Sequence, residues 1–258
     1  MKKTFIIFGL IAALSFLPSL AHAEDKFDLE SLSNVQTQLE QDHLIANHDG
    51  QSYFVPNDDY EGLKFSETNN EFLGGTRVAH VFGIQVHIEK EMENLGIVLI
   101  CEKDKKGLKI LKRVLTDEYF EGIEFQKVEG AGAWLLVRSA GGAHCRTLKI
   151  LAFQNGKFVT LFDKNTDGSV APKFELSKKG VPQVSVGWPN WDDPDWNYAS
   201  GERLWEVHVW NGKKFVYDKA LSTSPEKDLF AEVGKYVQRY HAEVKKLEQA
   251  KNDTKQNN

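Results

Sequence analysis

Two short stretches constrain this chain more than any others: "FQNGKFV" at 153–159 and "VWNGKKFV" at 209–216. Each sets Asn-Gly between apolar runs. A two-residue hairpin turn needs positive φ at both central residues, and Asn followed by Gly meets that need with little strain. Each stretch is therefore expected to fold back on itself as an antiparallel pair. The neighbouring segments agree. "VAHVFGIQVHIEK", "GIVLICEK", "LKILKRVL", "GIEFQKVEG" and "AWLLVRSA" all read as strands, and "LIANHDGQSYFV" as two short strands around His48-Asp49-Gly50. The turn glycines Gly50, Gly107, Gly156 and Gly212 fall about 50–57 residues apart, a period that belongs to blade-like repeats. The middle of the chain is a succession of antiparallel strands rather than βαβ units.

The ends read differently. In residues 28–42, "DLESLSNVQTQLEQD", Leu29, Leu32, Val35 and Leu39 form a one-sided helical stripe. Past residue 222, Ser224 and Pro225 suit the N-cap and the first helical position. Phe230, Val233, Val237, Tyr240, Val244 and Leu247 then recur at heptad spacing. The polar tail "KNDTKQNN" is expected to be disordered. Residues 1–23 have the form of a bacterial export signal: Lys2 and Lys3, an apolar run from Phe5 to Leu17, Pro18, then Ala21-His22-Ala23 as a small-x-small cleavage site. Cleavage after Ala23 and a periplasmic or secreted location are the expectation. No stretch approaches the ~18 apolar residues of a membrane span. The chain thus divides into a signal peptide (1–23), a helical segment (24–50), an antiparallel β domain (51–222), a C-terminal helix (223–250) and a tail (251–258). The expected fold class is mainly β, built of blade-like or sandwich-like hairpins, with a helix at each end of the mature chain and so α+β overall.

Charge narrows the function. The chain has 32 Lys+Arg and 37 Asp+Glu; without Lys2 and Lys3 the balance is 30 against 37, or −7. That argues against nucleic-acid binding, which needs a basic footprint. Two cysteines, Cys101 and Cys145, lie in strand-like contexts of a chain read as exported, so a disulfide between them is expected.

The stretches "KKGVPQVSVGW" (178–188) and "WNGKKFV" (210–216) support a resemblance. Residues 145–220 resemble degenerate FG-GAP/VCBS-type repeats, the β-blade units of integrin-like propellers. In that family an acidic loop with Gly precedes a "Pro-Glu-Ile-Val-Val" strand, and a "Trp-(Asp/Asn)-Gly-Lys-x-(Tyr/Phe)-Val" hairpin follows. The hairpin matches. The loop departs, with Lys178 and Lys179 where the family has Asp, and Gln183 where it has Glu. The resemblance implies blade-like β structure and an interaction role, without calcium at 178–183.

Two patches offer chemistry. "DKNTDGSV" (163–170) has Asp163, Asn165 and Asp167 at calcium-loop spacing, followed by Gly168. Position 12 of that loop is Phe174 and position 9 is Ala171, so the closing acid is missing, and an Asx-rich turn is the preferred reading over a weak metal site. No cofactor is expected, calcium being the one considered. The second patch, "GWPNWDDPDWNYASGERLW" (187–205), collects Trp188, Trp191, Trp196 and Tyr198 with Asp192, Asp193 and Asp195. Indole faces beside carboxylates suit a sugar or a protein ligand on a loop. The competing reading packs those rings as a satellite core. The alternation Trp205, Val207, Val209 against Glu206 and His208 assigns Trp205 to the core. His87 and Glu89 share a strand face, the mark of a solvated surface more than of a metal site. The chain has no G-x-S-x-G, H-E-x-x-H or P-loop, and no catalytic residue is assigned.

The resulting expectation is an exported, monomeric, non-enzymatic binding module whose Trp/Asp-rich loop meets an envelope protein or glycan. The alternatives are an envelope-glycan hydrolase using loop carboxylates, and a structural subunit that pairs through its C-terminal helix.

Overall fold

A computed structural model describes residues 20–88, 93–116, 119–141, 145–167, 170–190 and 203–225. It is mainly β, with three antiparallel sheets and one helix among those residues. Helix α1 (Leu20–Gln41) begins ahead of Ala23, runs through the expected cleavage point and leads into the hairpin β1 (Ile45–His48) and β2 (Gln51–Phe54). The C-terminal helix expected over 223–250 and the tail lie outside the described residues, apart from their first few positions.

The strands then form three successive four-stranded meanders. The first is β3 (Leu63–Asn69), β4 (Ala79–Ile88), β5 (Glu93–Asp104) and β6 (Gly107–Thr116). Hairpin β1–β2 extends it along β6, in the order β1-β2-β6-β5-β4-β3, which we term sheet A. Sheet B is β7 (Tyr119–Val128), β8 (Gly132–Gly141), β9 (Cys145–Gln154) and β10 (Lys157–Asp167). Sheet C is β11 (Lys173–Leu176), β12 (Pro182–Pro189), β13 (Arg203–Trp210) and β14 (Phe215–Tyr217). Gly107, Gly156 and Gly212 all lie at the turn between the third and fourth strands of a meander, which accounts for their spacing. The two look-alike hairpins turn differently. Gln154 pairs with Lys157 across Asn155 and Gly156, both at positive φ (51° and 77°). The second stretch carries one more Lys, and Trp210 pairs with Phe215 across a longer loop capped by Asn211, whose Oδ1 accepts the amides of Lys213 and Lys214.

Layers stack in the order α1, sheet A, sheet B, sheet C, because successive strands are apolar on both faces. On β5, Ile97, Leu99 and Cys101 face the helix with Val35 and Leu39, whereas Val98 and Ile100 face sheet B. On β8, Leu135 and Val137 face sheet A, whereas Trp134 and Leu136 meet Val184, Val186 and Trp188 of sheet C. A strand buried on both sides reads as a continuous apolar run, as "GIVLIC" and "AWLLV" do. Sheets A and B fit closely enough that a Cβ on Gly83 would lie 2.0 Å from the Phe120 ring.

The same alternation overturns the expected disulfide. Neither cysteine is in a disulfide. Cys101 points into the helix side of sheet A, whereas Cys145 starts β9 in the next sheet, paired with Gly141 and Asp167. Strand context placed each sulfur on a strand correctly but could not say which face or which sheet.

The connections β4–β5, β6–β7, β8–β9, β10–β11 and β12–β13 all leave from one end of the stack. The register shows this: Thr116 pairs with Gly96, Gly141 with Cys145, Cys145 with Asp167, and Pro189 with Arg203. Both sequence patches therefore spring from the same end.

Candidate functional site

At that end the gap between sheets A and B changes character. Deep in the gap Leu135, Leu151 and Val98 form an apolar core. Toward the end, the residues facing inward are Ser139 and Thr147, a cross-strand pair, with Asn165 level with them and Lys149 and Asp163 one step deeper. Strand alternation puts them together, since Lys149 pairs with Asp163 and Thr147 with Asn165 on neighbouring strands. The opposite wall is the end of β6, from Lys112 to Thr116. Between the walls lies a cleft of about 600 Å³. It curls around the β6 edge to reach Leu32 of α1, because β2 pairs with β6 only at Leu108 and Lys109.

The electrostatics of the cleft are uneven. Its lone lining carboxylate among the described residues, Asp163, is held by Lys149 at 3.2 Å. Arg113 faces the helix side of sheet A, where its Nε and Nη2 are buried without a hydrogen-bond acceptor. Burial pushes its pKa below the usual arginine value, with the thiol of Cys101 and the carboxylate of Glu40 opposing that shift. An arginine nonetheless keeps its charge in a protein.

A second polar cluster lies between sheets B and C. Glu206 is fully buried. Its carboxylate accepts the Trp188 indole N–H at 3.0 Å, pairs with the Lys164 ammonium, and faces Nε2 of His208. The ring of His208 packs edge-on against Phe162 and Tyr217. Here the alternation read from sequence is correct but its faces are reversed. Glu206 and His208 are the buried side of β13, whereas Trp205 lies half-buried on the outer side beneath the Lys173 ammonium. The polar side can be buried because donors from two sheets converge on one carboxylate. The pattern "EVH" at 206–208, interleaved with apolar residues, was the available signal, but nothing in it reports which side meets another layer.

The candidates read from sequence separate accordingly. Trp188 is 3% exposed with its N–H engaged, so it is core and not a stacking platform. Trp191, Asp192, Asp193, Asp195, Trp196 and Tyr198 lie outside the described residues, as do Glu89, Gly168 and Ser169. Residues 163–167 are not the expected Asx-rich turn, because they continue strand β10. Asp163 and Asn165 share a strand face, their backbones some 6.6 Å apart at ~3.3 Å per residue, and the Asp163 carboxylate is paired with Lys149. The side chain of Asp167 is outside the described set. Sequence reading missed the cleft residues Lys112, Arg113, Ser139 and Thr147, which sit in segments legible only as strands.

No known protein family matches the chain, and neither does any curated protein or solved structure.

Proposed function

We propose that this protein is a non-enzymatic binding module of the periplasm or cell envelope, exported through its N-terminal segment, which takes a polar envelope ligand in the cleft between sheets A and B. The observation that carries the reading is the switch, within one inter-sheet gap, from close apolar packing to an open cleft lined by hydroxyl, amide and charged groups. Protein interiors pack densely, so close packing of the same two sheets deeper in the gap does not by itself account for an open, polar end. The volume of about 600 Å³ falls within the ordinary range of ligand pockets. Pro189 and Arg203, which flank the Trp/Asp-rich segment, pair at the same end of the stack. Binding is favoured over glycan hydrolysis because most glycosidases need a pair of carboxyl groups, and the one carboxylate lining the cleft among the described residues is held in an ion pair. The blade-like reading is supported by the repeated four-strand unit and its recurring turn.

The test is titration of the purified protein with envelope glycan and peptide fragments, followed by calorimetry and by mass analysis of the fragments. Saturable binding without cleavage is expected, and Thr160→Trp, at the exposed lip of the cleft, should weaken it without changing the melting temperature. Cleaved fragments would establish the hydrolase instead, and binding that ignores Thr160→Trp would move the site elsewhere.

A further inference from the structure

We infer that the cleft selects an acidic glycan, with Lys112 and Arg113 each receiving a sugar carboxylate on its own side of the β6 edge; this rests on the cleft being the binding site proposed above. The chain as a whole is acidic, at −5, yet among the described residues the cleft is lined by Lys112, Arg113, Lys149 and Lys164 against the single carboxylate of Asp163. Lys149 is engaged by Asp163, and Lys164 turns through sheet B to Glu206. Lys112 and Arg113 make no ion pair among the described residues. They flank the edge of β6 from its two faces: Lys112 is on the side of sheet B, opposite Ile100, and Arg113 is on the side of α1, opposite Leu99.

Three features of the cleft fit a sugar carboxylate. Two guanidinium nitrogens of Arg113 are buried without a hydrogen-bond acceptor, and the Glu40 carboxylate offsets that charge only through space. An anion in the adjoining cleft would supply the acceptor, and a guanidinium suits a planar carboxylate. The walls between the two cations and the apolar floor carry Thr116, Ser139, Thr147 and Thr160, groups that donate to and accept from sugar hydroxyls. Finally, the floor is partly apolar through Val114, Val137 and Leu151, and suits the C–H face of a pyranose. Cations on the part of β6 that β2 leaves unpaired also deter strand pairing, a role in which their removal would leave binding unmoved.

Calorimetry on the full chain with three probes decides the matter: tetragalacturonate, neutral maltotetraose and tetra-aspartate. Tetragalacturonate should bind saturably and more weakly as salt is raised, with the other two at least about tenfold weaker. Lys112→Gln, at an exposed position, should weaken tetragalacturonate about tenfold, as should Arg113→Gln, while Arg113→Lys keeps part of the affinity. Should Arg113→Gln fail to fold, Lys112→Gln alone carries the test. Equal binding of maltotetraose, indifferent to both charge removals but lost in Thr160→Trp, would overturn the carboxylate and leave the cleft reading standing. Tight tetra-aspartate binding would overturn the sugar in favour of an acidic peptide. No saturable binding of any probe would overturn this inference and count against the cleft.

Discussion

Replacing Glu206 by Gln removes one charge and almost no volume. Its carboxylate accepts the Trp188 indole N–H and the Lys164 ammonium and lies against His208, wholly shielded from water. A Gln side chain offers one acceptor oxygen, and its NH2 would point a donor at donors. Removing one partner of a buried ion pair costs about 3–5 kcal/mol. Lys164 is 26% exposed and can turn its ammonium toward solvent, so the lower end, about 3 kcal/mol, applies. At an m-value near 3 kcal/mol per M the urea midpoint should fall by about 1 M, with a change in tryptophan emission as Trp188 loses its acceptor. The companion test is a cycle. Glu206→Leu alone strands the ammonium, whereas Lys164→Met with Glu206→Leu replaces the pair by apolar groups and should recover at least about 1 kcal/mol of the loss. A Glu206→Gln protein within about 0.5 kcal/mol of wild type would refute the view that this carboxylate ties sheet B to sheet C.

Two further outcomes follow from the packing. Burial pushes the Cys101 thiol up to about 12, so in the native protein at pH 8 Cys145, half-buried at the start of β9, should be alkylated well before Cys101, and both should react after denaturation without reductant; a disulfide in the non-reduced mass spectrum would contradict the structure. Gly83→Ala places a methyl 2.0 Å from the Phe120 ring and should cost about 1–3 kcal/mol by overpacking; in a Phe120→Ala background the same change should cost almost nothing, and an equal cost in both backgrounds would show that the ring is not what forbids a side chain there.

Much of the architecture was legible in the chain. "FQNGKFV" gave its hairpin with the turn in the expected place, because Asn-Gly solves a local steric problem that no distant contact can alter. The stripe of Leu32, Val35 and Leu39 gave a helix with an apolar side, and Val35 and Leu39 are indeed buried on sheet A. Three of the four turn glycines, Gly107, Gly156 and Gly212, lie between the third and fourth strands of successive meanders. These are properties of neighbours in sequence.

What sequence could not decide was which side of a strand meets another layer. Period-2 alternation identifies two faces and leaves them unlabelled. Trp205 was assigned inward on hydrophobicity, but the stacking of sheet C on sheet B puts Glu206 and His208 inside, where Lys164 and Trp188 arrive from β10 and β12 to meet them. Cys101 and Cys145 were joined on strand context, and the layering turns one toward the helix and places the other in the next sheet. "DKNTDGSV" looked like a turn because its residues favour turns, but residues 163–167 pair with β9 and stay extended. The cleft depends on the same kind of long-range pairing and layering. Lys112, Ser139, Thr147 and Asn165 come from four strands, and only the register between strands and the stacking of sheets brings them to one gap. Local sterics fixed the strands and turns of this protein; the site was set by long-range layering, whose energies come from contacts between residues far apart in the chain.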